Sequence, residues 1–142
     1  GDVVKPGEFP DDVVALIWER DGGCCALCGV GLIWERRGEA FGGWSVQHRE
    51  PRKSGGAKGR PWVARAANGV LLCGTGTTGC HGDVEHHRDN VDPLWGFSVS
   101  ALGIRRPVEV PVRHVMLGWV LLDDAGGWQP VDAPVDDLAA AA

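Results

Sequence analysis

A chain of 142 residues with no run of about eighteen apolar residues excludes a membrane-spanning helix and predicts one domain, small enough for a structural metal to add useful stability. Five cysteines and an N-terminus, GDVVKPGEFP, without the basic and apolar regions of a signal peptide argue against secretion and a disulfide framework, and for metal ligands or free thiols in a cytoplasmic protein. The formal net charge of −5 conceals an uneven distribution: residues 49–65 carry +5 and the remainder −10, so basic charge is focused in one stretch, either a solvated loop or a surface for an anionic partner.

Residues 9–21, FPDDVVALIWERD, predict a helix. Pro10 precedes it, Asp11 or Asp12 supplies the N-cap, Val13, Leu16 and Ile17 recur at helical spacing, and Gly22-Gly23 stops it. In CCALCG that follows, Cys25 and Cys28 have the two-residue gap with which a tight turn presents two sulfurs to one zinc ion, leaving Cys24 as the spare thiol. The same spacing also suits a redox pair. The pentapeptide LIWER occurs twice, beginning at Leu16 and at Leu32. That interval is shorter than common solenoid units and there is no third copy, so no repeat architecture follows.

WSVQH, residues 44–48, alternates Trp44 and Val46 with Ser45 and Gln47, as a half-buried strand does, and closes on His48. The next stretch, REPRKSGGAKGRPWVARAAN, is too rich in glycine, proline and charge to be regular, and long irregular segments inside compact domains commonly carry function. Residues 70–73 predict a second short strand, residues 74–79 a turn, and the segment from Cys80 a helix. Beyond Asn90 the pattern turns to strands at 95–99, 108–112 and 115–122, with Gly126-Gly127 as a hairpin turn. The plan is a single domain over 1–128, with its core at 25–90 and a small antiparallel extension at 91–128. The acidic, alanine-rich residues 129–142 are expected to form a flexible tail.

The densest chemistry lies in LLCGTGTTGCHGDVEHH, residues 71–87, with two cysteines, three histidines and Asp83 and Glu85. Cys25, Cys28, Cys73 and Cys80 together would make a four-thiolate tetrahedral site, tying the N-terminal knuckle to the second strand and the start of the helix. The gap of six residues between Cys73 and Cys80 is wider than a standard knuckle. His86 and His87 have the bland reading of a solvated helix end or phosphate contacts, and His114 that of an ordinary strand residue.

The remaining polar residues run as a strand ending in His48, a basic loop, Asn68, a strand, and a helix starting at His81. On the pieces WSVQHR, RAANGVLLC and GCHG, over residues 25–87, the chain resembles the HNH endonuclease family, of ββα-metal fold, and in particular its zinc-bound members encoded by bacteriophages. The resemblance implies an α+β fold: a ββα-metal core with a structural zinc, an N-terminal helix and a C-terminal antiparallel β extension. It also implies three catalytic residues. His48 takes the general-base position, Asn68 the position that orients the base across the loop, and His81 that of a ligand to a catalytic divalent cation, Mg²⁺, Mn²⁺, Ni²⁺ or Zn²⁺.

Where many members place Asp or His before the general base, this chain has Gln47, whose neutral amide oxygen ligates a hard cation more weakly than a carboxylate does. Glu85, four residues beyond His81 on the same helix face, suits a further ligand better. The implied substrate is DNA, contacted through phosphates by Arg49, Arg52, Lys53, Lys58 and Arg60 with little sequence preference, since no base-reading module is visible. A protein of this kind acts in the bacterial host cell, and the packaging terminase is a partner suggested by the resemblance alone. Two rival readings stand beside the nuclease. One is a non-catalytic zinc module for DNA or protein with its site decayed at Gln47; the other is an oxidoreductase using Cys25 and Cys28.

Overall fold

The computed structural model describes residues 5, 7–52 and 59–135. These form a mixed α/β domain with two helices and two small antiparallel sheets. Helix α1 spans Asp11–Arg20, and strands β1, Trp44–His48, and β2, Gly69–Cys73, form a two-stranded ribbon. Helix α2 covers Gly79–His86. Strands β3, Val112–His114, β4, Gly118–Leu122, and β5, Trp128–Pro130, form the second sheet in sequential order.

The ribbon is the middle layer. Its register sets Trp44 opposite Cys73, Val46 opposite Leu71 and His48 opposite Gly69. Because side chains alternate across a strand, Trp44 and Leu71 face α1 and pack with Phe9, Val14 and Ile17, whereas Val70 and Leu72 face the other way, onto Val84 of α2, Phe97 and Val112, Val120 and Leu122 of the second sheet. Burial on both faces explains why β2 reads as an unbroken apolar run rather than an alternation.

The C-terminal sheet is tied into this core by a buried polar network. Arg20, at the end of α1, bonds through Nε to Asp21 Oδ1 at 2.8 Å and donates to the carbonyls of Ala66 and Gly69. The other oxygen of Asp21 accepts the Leu71 amide of β2 at 2.9 Å. His114 Nδ1 accepts the amides of Met116 and Leu117, so its proton is on Nε2, which donates to Asp21 Oδ1 at 3.0 Å. His114 is therefore a structural link between β3 and α1 rather than a plain strand residue. Burial pushes the Asp21 carboxyl upward, but the hydrogen bond from His114 and the charge and hydrogen bonds of Arg20 outweigh it and hold the group below its ordinary value.

Several expectations need correction. The N-cap of α1 is Pro10, and Asp11 and Asp12 fall in the first turn, where their charges meet the positive end of the helix dipole without capping it. The strands expected at 95–99 and 108–112 are absent save for Val112, which opens β3, and that expected at 115–122 begins only at Gly118: Pro93–Trp95 and Pro107–Glu109 are single helical turns started by proline, whose fixed φ suits that position. The expected hairpin joins β4 to β5, with Asp123 Oδ1 accepting the amides of Ala125 and Gly127. Gln129 and Pro130, assigned by sequence to the tail, belong to β5 and pair with Leu121 and Val120. Residues 136–142 lie outside the described residues. Among the described residues, no helix is long and apolar enough to cross a membrane.

Candidate functional site

Two turns bring four cysteines together. Cys25 accepts at its carbonyl from Gly29 N and donates its amide to Val30, which folds the first knuckle; Ala26 then bonds Leu71 of β2 and Val115 after β3, fixing the knuckle against both sheets. The second turn, between Cys73 and Cys80, is tight despite its length because Gly74 and Gly79 lie against backbone: a Cβ on Gly74 would meet the Thr78 carbonyl, and one on Gly79 the Cys73 carbonyl. The side chain of Thr78 accepts the Thr75 amide inside the same turn.

The four Sγ atoms lie within 4.8 Å of one another, with Cys28 and Cys73 at 3.9 Å. A tetrahedral ZnS₄ centre with Zn–S bonds of about 2.3 Å sets its sulfurs roughly 3.8 Å apart, so the cage fits a zinc ion with little adjustment. The amides of Cys28 and Cys80 point at the sulfurs of Cys25 and Cys73, at 3.5 and 3.4 Å, in the sense that stabilises thiolate. A hydrogen bond from Cys80 pulls Cys25 down to about 5 against the effect of burial, while Cys80 is pushed up by that same bond and by burial. A cation bound by the four sulfurs would favour their thiolate forms. Among the described residues this is the one such group of metal-capable side chains. Cys24 stays outside it, its thiol against the Gly22 carbonyl.

His81 is joined to Cys80 by a peptide bond yet faces a different environment. Its Nδ1 lies 2.5 Å from Ser45 Oγ, and that hydroxyl also lies 2.7 Å from the carbonyl of Gly74. The carbonyl can only accept, so the hydroxyl proton goes to Gly74 and Ser45 accepts Nδ1–H from His81. This leaves the lone pair of His81 on Nε2, which points to Glu85 Oε1 at 3.7 Å. Burial lowers the pKa of His81, favouring the neutral imidazole that can ligate a metal.

His48 stands at the end of β1 with its ring stacked on Phe9 at 4.1 Å between centroids. Its Nε2 lies 2.6 Å from the Gly7 carbonyl and must donate to it, which leaves Nδ1 as the basic nitrogen. Burial first, then the charge of Arg52, bring the His48 pKa down to about 4 against the opposing hydrogen bond to Gly7. The ring is neutral at physiological pH.

Gln47, the residue before it, is buried, its Nε2 3.4 Å from the Phe97 carbonyl and its Oε1 without a hydrogen-bond partner. Leaving a buried carboxamide oxygen unsatisfied costs about 1–3 kcal/mol, and buried polar atoms of this kind are uncommon. Gln47, His48 and Glu85 line one cleft of about 390 Å³, together with Arg88 and the loop at residues 98–102. The cleft thus unites four of the sequence-predicted residues, Arg49 being the fourth in its lining, and His81 adjoins it through Glu85. Among these side chains Gln47 Oε1 is the buried oxygen without a hydrogen-bond partner, and the Glu85 carboxylate lies beside His81 Nε2.

Asn68 is fully buried and touches no ligand that enters the cleft. Its Oδ1 accepts the Glu50 amide at 2.7 Å, its Nδ2 donates to the carbonyls of Glu50 and Val63, and its own carbonyl accepts Arg49 N. It pins the two residues that follow His48, across the loop where an orienting role was expected for it.

Two of the five expected phosphate contacts, Arg49 and Arg60, are engaged within the chain. Arg49 is wholly buried, and its guanidinium donates to the carbonyls of Gly96, Ala67, Pro107 and Val110 at 2.6–3.1 Å. Burial disfavours its charge, but four carbonyl acceptors hold it, and it cannot reach a phosphate. Arg60 forms an ion pair with Glu50 at 2.7 Å and donates to the carbonyls of Pro51 and Arg52. Arg52 remains half-buried beside His48, and Lys53 and Lys58 lie outside the described residues.

Sequence reasoning missed Ser45 and Arg88. Ser45 was placed on the polar face of β1, which was the available signal, and Arg88 continues the spacing of His81 and Glu85 along α2 and the turn after it. His86 and His87 are exposed and line a shallow pocket beside the cleft with Glu85 and Arg88. No protein-family model, curated protein or solved structure matches this chain.

Proposed function

We propose that the chain is a metal-dependent DNA endonuclease with an HNH-type ββα-metal core, one structural zinc and a separate catalytic cation site. The observation that carries this reading is one cleft lined by His48, whose Nε2 is engaged by the Gly7 carbonyl, by Gln47, whose buried Oε1 has no hydrogen-bond partner, and by Glu85, next to Nε2 of His81. The β1–β2–α2 order with His48, Asn68 and His81 at successive stations supports it.

In this reading His48 Nδ1 takes the proton of a water whose oxygen attacks phosphorus, as the bond from phosphorus to the 3′ oxygen breaks. The Gly7 carbonyl fixes the tautomer and Asn68 holds the backbone after the base. A divalent cation, when bound by His81, Glu85 and Gln47, would stabilise the charge developing on the phosphate and leaving oxygens. Arg88 supplies cationic charge in the cleft for the flanking backbone, and one such site cuts one strand at a time. Action with a phage packaging terminase belongs to this proposal on the strength of the resemblance alone.

The competing reading, a non-catalytic zinc module, is favoured by the neutral Gln47 where a stronger ligand is usual. Nicking of supercoiled plasmid with added Mg²⁺, Mn²⁺ or Ni²⁺ decides between them. The nuclease relaxes the plasmid and His48→Ala does not; a folded parent inert in all three metals, or an equally active His48→Ala, would sink the enzyme reading.

A further inference from the structure

Residues 98–106 form a ridge beside the cleft. On one side Ser98, Val99, Ala101 and Leu102 line the space shared with Gln47, His48 and Glu85; on the other, Gly103, Ile104 and Arg105 line a second groove of about 370 Å³. At the crest Leu102 and Ile104 are 88 % and 96 % exposed. A single exposed leucine is ordinary, but two large aliphatic side chains at one crest between two grooves, followed directly by Arg105 and Arg106, form an amphipathic edge that asks for an occupant.

The ridge is built rather than slack. The Ser100 hydroxyl accepts the Leu102 amide and the Ser100 carbonyl accepts the Gly103 amide, closing a turn at the crest. Its root is bonded to the residue after His48, through Val99 N to the Arg49 carbonyl at 2.7 Å, and Arg49 Nε holds the Gly96 carbonyl. At the far end the Arg106 guanidinium lies 3.7 Å above the Trp62 ring, and Trp62 donates to Glu50. The crest is thereby held at a fixed place relative to the imidazole.

We propose that this ridge is a wedge for duplex DNA: Leu102 and Ile104 enter the minor groove and part a base step, while Arg105 and Arg106 engage the adjoining phosphates. The inference rests on the nuclease reading and deepens it. Charge selects the occupant, because two exposed arginines behind the apolar crest and Arg88 in the cleft suit a polyanion, and paired aliphatic wedges flanked by cations are how proteins unstack and bend a duplex from its minor groove. Opening a step beside the cleft would bring the strand backbone toward His48 and make bending, rather than base identity, the source of site preference.

The test uses the zinc-loaded protein without added catalytic metal, a duplex carrying 2-aminopurine, and the double variant Leu102→Ser with Ile104→Ser. Both side chains are exposed, so zinc content and melting temperature should match the parent. The parent should raise 2-aminopurine fluorescence, and the variant should bind about ten-fold more weakly and leave the fluorescence unchanged. A duplex with a single-base bulge, already opened, should restore the variant's binding. Equal fluorescence change from parent and variant, or an affinity loss that the bulge does not restore, overturns the wedge. Failure of the parent to bind any DNA, with self-association that the double variant abolishes, would assign the ridge to contacts between copies of this chain and overturn it as well. Plasmid nicking by the parent with added metal, alongside equal fluorescence change from parent and variant, shows the nuclease reading standing while the wedge falls.

Discussion

Ser45 holds His81 by Nδ1, 2.5 Å from its hydroxyl, and is itself fixed by the Gly74 carbonyl of the cysteine-bearing turn. One hydroxyl thus connects the thiolate cage to the proposed catalytic ligand and decides which imidazole nitrogen is bare. Ser45→Ala should lower nicking and apparent affinity for the catalytic cation by about 10–100-fold, the usual cost of losing a group that orients a ligating histidine. Zinc content should not change. A metal-activation curve measures this, and an unaltered curve would remove Ser45 from the account.

Arg49 should behave as a core residue. Arg49→Met leaves four carbonyls without their shared donor and should destabilise the domain by about 3–5 kcal/mol in denaturant melts. The salt dependence of DNA binding by the fraction that folds should keep its slope. A slope reduced by about one unit would instead return Arg49 to the phosphate contacts.

Asp21 predicts a component of acid sensitivity. Its folded pKa lies below the unfolded value of 3.8, so its contribution to stability is complete above about pH 4 and is lost as pH falls through the lower folded value. Asp21→Asn should be less stable than the parent at pH 7 by about 3 kcal/mol, and the gap should narrow below pH 4. Melting the two proteins across that range checks it; a gap that widens on acidification has the wrong sign.

Zinc removal should unfold the domain, because the four thiolates join the first knuckle, β2 and α2, and binding energies of structural zinc are of order 10 kcal/mol. Cys80→Ser should lose helix and tertiary signals together, as seen by circular dichroism, whereas Cys24→Ser should lose neither. Retention of the native spectrum after complete chelation would separate the cluster from folding.

What was legible in the sequence was whatever local pattern dictates. The alternation in WSVQH marked β1 at its observed bounds, and the glycine-rich stretch between Cys73 and Cys80 marked a turn able to close a cage despite its length. What was not legible depended on partners far along the chain. LIWER forms the end of α1 in its first copy, but in its second Trp34–Arg36 is a single helical turn, so the same letters take the conformation their neighbours impose. Arg49 looked like one cation among six because nothing local shows that Gly96, Pro107 and Val110 deliver carbonyls to it. The pairing of His114 with Asp21, 93 positions away, was hidden for the same reason.

The central claim is that the cage and the cleft are separate sites meeting at the Cys80–His81 peptide bond. Plasmid nicking by zinc-assayed His81→Ala tests it most directly. His81→Ala should keep one zinc per chain and a native melt, with nicking reduced by at least about a hundred-fold. A His81→Ala protein that sheds its zinc, or one that keeps it and nicks as fast as the parent, would contradict the division of ligands.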